Sequence, residues 1–338
     1  MDSGVGFSLQ HATASVTTPK TGPPKTGPPE QRQRTWAAIL AATLLVLPLG
    51  SIYAFSVFLD PLEQLLGATR AQLATVFGIA AVFYTIGMNI GPRLFRWASL
   101  SVVLILCTLI SAAGTGLAAM ARTFPELAFG YGVLFGFGGG IAYVAVQQGV
   151  NLMPLRRPGL VNGYLVSQLP AGAMLSTLAF GWGIDAYGVR TTLAGTAVVL
   201  LATGLLALLL AAFAGMRLMP PQGPGDAAGT AVAPEQGMRH RDIFLKLFLV
   251  FFAAAAAGLM VLSQAAGIVA AYGGAKDLAL FATTGITGGI AIARLGGGWL
   301  TDRMAIPVVM AGAQAIAFAG ALLLTLWQIG RASCRERV

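Results

Sequence analysis

Nine long apolar segments dominate this 338-residue sequence and constrain what it can fold into. A helix needs about 20 apolar residues to cross the hydrocarbon core of a bilayer. The segments that meet this length are residues 36–58, 70–91, 99–121, 125–150, 159–183, 191–215, 243–271, 278–300 and 306–327. Each of them predicts a membrane-spanning helix, so the sequence indicates an all-α membrane protein.

The small number of charged residues excludes the common classes of water-soluble protein. Charged residues make up 10% of the chain, whereas a soluble domain contains about 25%. A net charge of +9 also occurs in nucleic-acid-binding proteins, but here the charges stand singly or in pairs between apolar runs. We expect the lipid bilayer as the surroundings and no nucleic-acid partner.

The sequence also lacks the side-chain sets of an enzyme or a metalloprotein. His11 and His240 lie in polar segments without metal-ligand spacing, and the spans show no Ser/His/Asp set and no paired carboxylates. We therefore expect no enzymatic activity, no metal site and no cofactor. Because no phosphate-binding G-K-[ST] loop occurs, solute movement through such a protein would have to draw on gradients.

The distribution of basic residues predicts a cytosolic N-terminus. In that orientation thirteen Lys and Arg residues lie on inner segments, against four on outer loops, namely Arg70, Arg122, Arg190 and Lys276. Cytoplasmic loops carry an excess of basic residues, and the reverse orientation would invert the ratio. We expect a multi-pass protein of the plasma (inner) membrane.

Polar segments divide the chain into two halves. Residues 1–35 are polar and proline-rich, which predicts a disordered cytosolic tail. Six spans form an N-terminal half over residues 36–215, and a central cytosolic loop follows at residues 216–242. Residues 243–327 hold three further helices. Two pseudosymmetric six-helix halves are a transporter architecture, so we expect a second half that is cut off after its third helix.

The last residues, 328–338, are unlike the rest of the chain. From Ile329 they spell IGRASCRERV, which resembles a sequencing adapter translated in one frame. The alternative is a genuine basic tail after the last helix. We expect an artefactual tail and base no functional inference on it.

A glycine stripe runs through the fourth predicted span. Gly132, Gly136 and Gly140 follow at four-residue spacing, which lets two helix backbones approach closely in lipid. Steps of three and four residues continue the stripe to Tyr143 and Gln147, on the same helix face. Two interpretations stay open for this polar pair, because it either lines a central cavity or hydrogen-bonds a neighbouring helix.

Arg294 is the charge that most needs a partner. It lies six residues before Leu300, about 9 Å inside the eighth predicted span, and arginine stays charged at any accessible pH. A charge at that depth costs at least about 2.5–3.5 kcal/mol, and no Asp or Glu lies deep in any span. Three things could compensate the charge of Arg294: cavity water, a bound anion, or snorkelling of the side chain to the cytosolic headgroups. The planar guanidinium fork suits a carboxylate.

Similar loops follow the second and the eighth spans. Their residues of interest are Gly91 and Arg96 in the first loop, and Gly298, Asp302 and Arg303 in the second. The second loop fits G-x-x-x-D-[RK], which resembles the loop signature of the major facilitator superfamily. That resemblance implies a cytosolic charge latch between Asp and basic residues. In the first loop Phe95 stands where Asp is expected, so no such latch is expected in the N-terminal half.

Two further segments resemble the oxalate/formate antiporter family, a branch of that superfamily related to monocarboxylate transporters. One is the first hairpin, with LGSIYAFSVF from Leu49, and the other is the R-x3-G-x3-D pattern that begins at Arg294. The resemblance implies that Arg294 binds the substrate carboxylate and that Tyr53 lines the cavity. On the predicted span boundaries, Tyr53 lies towards the outer side and Arg294 towards the inner side.

The resemblance leaves the coupling mode and the substrate size open. Ile290 stands where proton-linked monocarboxylate carriers have an Asp, and the eleventh helix, which supplies a second cation in the family's oxalate carrier, is not among the visible spans. We expect most of a monomeric secondary transporter of small organic anions, acting by alternating access. The alternatives are a sugar or drug carrier with a structural Arg294, and a non-transporting membrane sensor.

Overall fold

All regular structure in the described part of the chain is helical. The computed structural model describes residues 29–218, residues 241–255 except 247 and 254, and residues 276–335. Residues 1–28 of the predicted tail, most of the central loop and much of the seventh predicted span lie outside these ranges. Within them no strand occurs, as the sequence predicts.

The helices follow the order of the predicted spans. They are α1 (Pro29–Leu49), a 3-10 helix (Gly50–Phe58), α2 (Leu59–Leu66), α3 (Arg70–Leu94), α4 (Leu100–Met120), α5 (Phe124–Leu127), a π-helix (Ala128–Phe135), α6 (Gly136–Asn151), α7 (Pro158–Tyr187), α8 (Val189–Ala214), α9 (Lys276–Thr301) and α10 (Ile306–Arg335). Residues 241–246 and 248–253, where the seventh span is predicted, are helical too.

Six helical stretches of the described residues are long and apolar enough to cross a membrane. These are Pro29–Leu66, Arg70–Leu94, Leu100–Met120, Phe124–Asn151, Val189–Ala214 and Ile306–Leu323. Helices α7 and α9 both have the length to cross, at 30 and 26 residues, and of the two α7 falls short in hydropathy. They pack closely against each other, and α7 also packs against α1. Polar residues of membrane helices face the interior of a bundle, so the weaker hydropathy of α7 fits an interior position.

Helix α1 begins at Pro29, before the predicted first span. Proline suits the first turn, where its missing N–H needs no partner, and the Glu30 carboxylate there complements the helix dipole. The predicted disordered tail is therefore wrong for residues 29–35. Hydropathy locates the apolar part of a helix and misses its polar first turns.

Helix α1 gives way to a 3-10 helix just after Pro48, whose nitrogen cannot donate to the carbonyl four residues back. In this region α1 crosses α7 at two glycines. A Cβ at Gly50 would overlap the carbonyl oxygen of Leu169, and a Cβ at Gly172 would overlap that of Leu47. Only glycine fits at both positions, so the two helix backbones touch.

The predicted fourth span is built from α5, the π-helix and α6. Tyr131 of the π-helix is 1% exposed, and its hydroxyl donates to the carbonyl oxygen of Ser51 at 3.2 Å. Ser51 belongs to the 3-10 helix, where the backbone pairing differs from that of an α-helix. The hydrogen bond therefore joins the two irregular segments of the N-terminal half.

Candidate functional site

Arg294 lies on α9, and its side chain extends to α7. Its Nη1 donates to the carbonyl oxygen of Val166 at 2.9 Å. Val166 is eight residues from Pro158, the first residue of α7, which places it about 12 Å inside that helix. Arg294 itself is seven residues from the end of α9, or about 10 Å inside it. The guanidinium group therefore stays at the depth of its own backbone.

The Val166 carbonyl is free to accept this bond because of Pro170. In a regular α-helix the carbonyl of residue 166 would accept from the N–H of residue 170. Pro170 lies inside α7 and has no N–H. Arg294 thus donates to a backbone group that α7 itself leaves without a partner.

Three tyrosines lie near one another, and two of them, Tyr53 and Tyr143, lie within electrostatic range of Arg294. The guanidinium group acts electrostatically on the hydroxyls of Tyr53 and Tyr143, and the Tyr53 hydroxyl acts in turn on those of Tyr84 and Tyr143. The rings of Tyr84 and Tyr143 lie 6.2 Å apart between centroids. We call Tyr53, Tyr84, Tyr143 and Arg294 the central cluster. It includes two residues, Tyr53 and Arg294, that the predicted boundaries placed towards opposite sides.

Tyr84, on α3, is the member of the central cluster that the sequence analysis missed. It is 8% exposed, and its hydroxyl has no hydrogen-bond partner in the described part of the structure. Its position does carry a signal, because Leu73, Val76, Ala80 and Tyr84 follow at helical spacing along the buried stripe of α3. A tyrosine on such an apolar stripe marks an inward-facing hydroxyl.

Tyr143 and Gln147 occupy successive turns of α6, but their surroundings differ. Tyr143 is 5% exposed and belongs to the central cluster, whereas Gln147 is half-buried. Within the described residues, no hydrogen bond joins Gln147 to the cluster or to a neighbouring helix. The structure therefore brings Tyr143 to Arg294 and leaves Gln147 one turn away.

The glycine stripe of the fourth span faces α3. A Cβ at Gly132 would lie 2.7 Å from the Ile79 side chain, and one at Gly136 would lie 2.6 Å from the Ala80 carbonyl oxygen. A Cβ at Gly140 would overlap the carbonyl of Tyr84. Close packing of α6 on α3 thus holds Tyr84 and Tyr143 side by side.

The loop motif after α9 caps the start of α7. The Asp302 carboxylate accepts the backbone N–H groups of Gly159 and Leu160, each at 2.8 Å. These N–H groups belong to the first turn of a helix and have no partner within it. The predicted latch between Asp and basic side chains is therefore a latch between a carboxylate and a helix N-terminus. Arg303 lies instead over the Trp299 ring, 4.0 Å from its centroid.

Glycines pack the same end of the two helices together. A Cβ at Gly163 would lie 2.7 Å from the backbone oxygen of Arg294, and a Cβ at Gly298 would overlap the Gly159 carbonyl. We call Gly159, Gly163, Gly298 and Asp302 the α7–α9 junction. It fixes the backbone that carries Arg294 against the helix that carries Val166.

The loop motif after α3 has an apolar centre. Phe95, which stands where Asp is expected, is 7% exposed, and a Cβ at Gly91 would lie 3.5 Å from its ring. Arg96 is exposed. An aromatic ring folded under Gly91 thus occupies the place of the carboxylate, which fits the expectation that the N-terminal half has no charge latch.

The sequence matches known proteins over most of its length. The profile of the Major Facilitator Superfamily matches residues 40–333. The chain is similar to the uncharacterized MFS-type transporter YhjX of Escherichia coli (strain K12), with 26% identity over 304 residues, 85% of this chain and 71% of that protein.

The fold is similar to that of a solved transporter. This is the proton:xylose symporter XylE bound to 6-bromo-6-deoxy-D-glucose, with a TM-score of 0.55 and 16% identity over 80% of this chain and 69% of that one. Identity at this level shows a shared helical fold. With the profile match and the apolar spans, it identifies this chain as an integral membrane protein that belongs to the Major Facilitator Superfamily of transporters.

Proposed function

We propose that this protein is a secondary transporter of small organic anions, with a mono- or dicarboxylate bound at Arg294. The observation that carries the proposal is the partner of this arginine. Its guanidinium group lies about 10 Å inside α9 and donates to a neutral backbone carbonyl. Within the described residues the only salt bridge joins Arg70 to Asp60, so no carboxylate there cancels the charge of Arg294.

The direction of the side chain argues against snorkelling. Side chains of a helix tilt towards its N-terminus, which for α9 is the end away from the cytosolic loop motif. The Arg294 side chain keeps to this depth and meets Val166 about 12 Å inside α7. A guanidinium group that relieved its charge at the cytosolic headgroups would extend the other way.

The tyrosines supply the rest of an anion site. Arginine binds a carboxylate through two parallel N–H donors, in charge-assisted hydrogen bonds of about 2.7–2.9 Å. Tyrosine hydroxyls can donate to the remaining lone pairs of such an anion. Tyr53 is 36% exposed and acts electrostatically with Arg294, which supports a position on the surface of the cavity.

The α7–α9 junction supports alternating access. Helix α7 belongs to the N-terminal half and α9 to the C-terminal half, and their ends meet through Asp302 and the glycines. Opening the protein at this end would have to break those contacts. In our proposal the N-terminus is cytosolic, the junction lies on the cytosolic side of the plasma membrane, and the protein works as a monomer by antiport or symport.

A sugar is the second candidate substrate, because the solved protein with a similar fold is a proton:xylose symporter. In that case Arg294 would have a structural role only. Sugars carry no charge, so a sugar site gains little from an arginine that lacks a counter-ion. The resemblance of the first hairpin and of the Arg294 motif to the oxalate/formate branch favours the anion.

Equilibrium binding to the full chain in lipid nanodiscs separates these candidates. We expect labelled oxalate to bind, formate or lactate to compete with it, and glucose and xylose to have no effect. Arg294→Ala should abolish binding. Arg190→Ala is the matched control, because Arg190 also donates to a backbone carbonyl, that of Ala121 at 3.0 Å, but lies in the first turn of α8, far from the central cluster. Sugar binding that survives in Arg294→Ala would overturn the proposal.

A further inference from the structure

We propose that Pro170 is a positioning residue for the anion site, because it leaves the Val166 carbonyl free to orient the guanidinium group of Arg294. This inference rests on the proposed function and goes one step beyond it. It assigns the orientation of the arginine to the backbone of α7, in the opposite half of the molecule.

The geometry depends on one missing hydrogen-bond donor. Pro170 lies inside α7, so the carbonyl of Val166 loses the N–H partner that a helix would supply. The Nη1 group of Arg294 donates to that oxygen at 2.9 Å. A carbonyl so deep in a membrane protein needs a donor, and among the described residues Arg294 supplies it.

A neutral partner suits an anion site better than an acidic one. A carboxylate next to Arg294 would cancel its charge and compete with the substrate. A carbonyl fixes one N–H and leaves the positive charge and the other four donors available. The arginine is thus oriented without being neutralised.

The position of the Val166 carbonyl is itself fixed by packing on both sides of Pro170. Towards the cytosolic end, Gly163 lies against the α9 backbone at Arg294, and beyond the proline Gly172 lies against Leu47 of α1. A binding group is held most accurately when rigid elements position it. Close backbone contacts with two helices give α7 that rigidity.

The chain contains a matched control for this proline. Pro48 lies inside α1 and frees the Leu44 carbonyl in the same way. In the described part of the chain no side chain donates to that carbonyl. The two prolines therefore have the same effect on helix geometry. They differ in that an arginine donates to the carbonyl freed by Pro170, and among the described residues no side chain donates to the one freed by Pro48.

Oxalate binding to Pro170→Ala in nanodiscs tests the inference. Alanine returns an N–H to position 170, which competes with Arg294 for the Val166 carbonyl. We expect oxalate affinity to fall about three- to tenfold, the effect of one neutral hydrogen bond, with no loss of thermal stability. Pro48→Ala should bind oxalate like the wild type.

A backbone ester separates the free carbonyl from the proline kink. Lactic acid in place of Pro170, introduced by nonsense suppression, has neither the ring nor the N–H. We expect this variant to keep wild-type affinity for oxalate, because the Val166 carbonyl stays free. If it binds oxalate as weakly as Pro170→Ala does, the ring matters and the inference is wrong. If Pro170→Ala does not fold, the ester variant alone tests the inference: wild-type affinity for oxalate supports it, and weakened binding overturns it.

The outcomes also separate this inference from the proposed function. Wild-type affinity in Pro170→Ala together with no binding in Arg294→Ala would overturn the role of Pro170 and leave the anion site in place. Undiminished oxalate binding in Arg294→Ala would overturn both.

Discussion

Two buried tyrosines differ in what their hydroxyls contact. The Tyr131 hydroxyl donates to the Ser51 carbonyl, whereas the Tyr84 hydroxyl has no partner among the described residues. A buried polar group without a partner costs stability. We expect Tyr84→Phe to leave the melting temperature unchanged or raise it, and to weaken oxalate binding about three- to tenfold, because this hydroxyl is proposed to meet the bound anion. Thermal unfolding and oxalate binding in nanodiscs measure both effects.

Tyr131→Phe is the control for this prediction. It removes a hydroxyl that already has a partner, so the melting temperature should fall while oxalate affinity stays the same. The account of Tyr84 is contradicted if both variants bind oxalate equally well.

Some of the site residues could be predicted from the sequence and others could not. Arg294, Tyr53 and Tyr143 stand out as polar side chains in apolar runs, and the structure brings them together. The contact between Arg294 and Val166 could not be predicted, since it depends on which face of α7 meets α9. Pro170 could not be singled out either, since its effect is on the Val166 carbonyl, whose donor Arg294 lies on another helix.

At the scale of elements, the contact between α3 and α6 depends on glycine. A Cβ at Gly140 would overlap the Tyr84 carbonyl. Overpacking of a tight core costs about 1–3 kcal/mol, so Gly140→Ala should lower the free energy of unfolding by that amount. It should also weaken oxalate binding, because α6 carries Tyr143. Unfolding of the purified chain in detergent measures the stability.

Gly195→Ala is the matched variant, since nothing described lies within 4 Å of a Cβ at this position of α8. Alanine favours a helix over glycine by about 1 kcal/mol, so this variant should be as stable as the wild type or more so. An equal loss of stability in both variants would contradict the packing argument.

The start of α7 depends on a residue far away in the sequence. Asp302 accepts two N–H groups there, and loss of a capping side chain costs about 0.5–2 kcal/mol. Asp302→Ala should therefore lower the free energy of unfolding by that amount and speed amide hydrogen exchange at Gly159 and Leu160. Asp185→Ala, near the opposite end of α7, should change neither. Unchanged exchange in Asp302→Ala would show that the cap contributes nothing.

Apolar runs predicted the existence and order of the elements but not their local geometry. The predicted eighth span, residues 278–300, agrees closely with α9, because hydropathy and helix nearly coincide there. The 3-10 helix after Pro48 and the π-helix around Tyr131 are irregularities of backbone pairing, which hydropathy does not record. The helix start at Pro29 was missed because the first turns of α1 are polar.

At the scale of the whole molecule, alternating access requires the α7–α9 junction to open. Spin labels at Arg156 and Met304, both exposed and next to the junction, report the separation of the two helix ends. We expect double electron–electron resonance spectroscopy to give two distance populations whose ratio changes when oxalate is added. A single distance that oxalate leaves unchanged would contradict alternating access at this end.

The family could be predicted from the sequence, and the substrate stays a prediction. The loop with Asp302 and the long apolar runs carry the superfamily resemblance, which the profile match over residues 40–333 confirms. The choice of an organic anion rests on Arg294 and on a resemblance of short segments, and a shared fold does not by itself fix the solute. The division into halves at residues 216–242 stays a prediction, because most of that loop lies outside the described residues.

The central claim is that a carboxylate binds at Arg294, and a distance tests it most directly. Solid-state NMR can measure dipolar coupling between 13C-labelled oxalate and 15N-labelled arginine side chains in the full chain. We predict a carbon–nitrogen distance of about 4 Å, as a bidentate pair requires. With saturating oxalate, the coupling should vanish in Arg294→Lys and persist in Arg190→Lys. Coupling that persists in Arg294→Lys, or is absent from the wild type, would contradict the account.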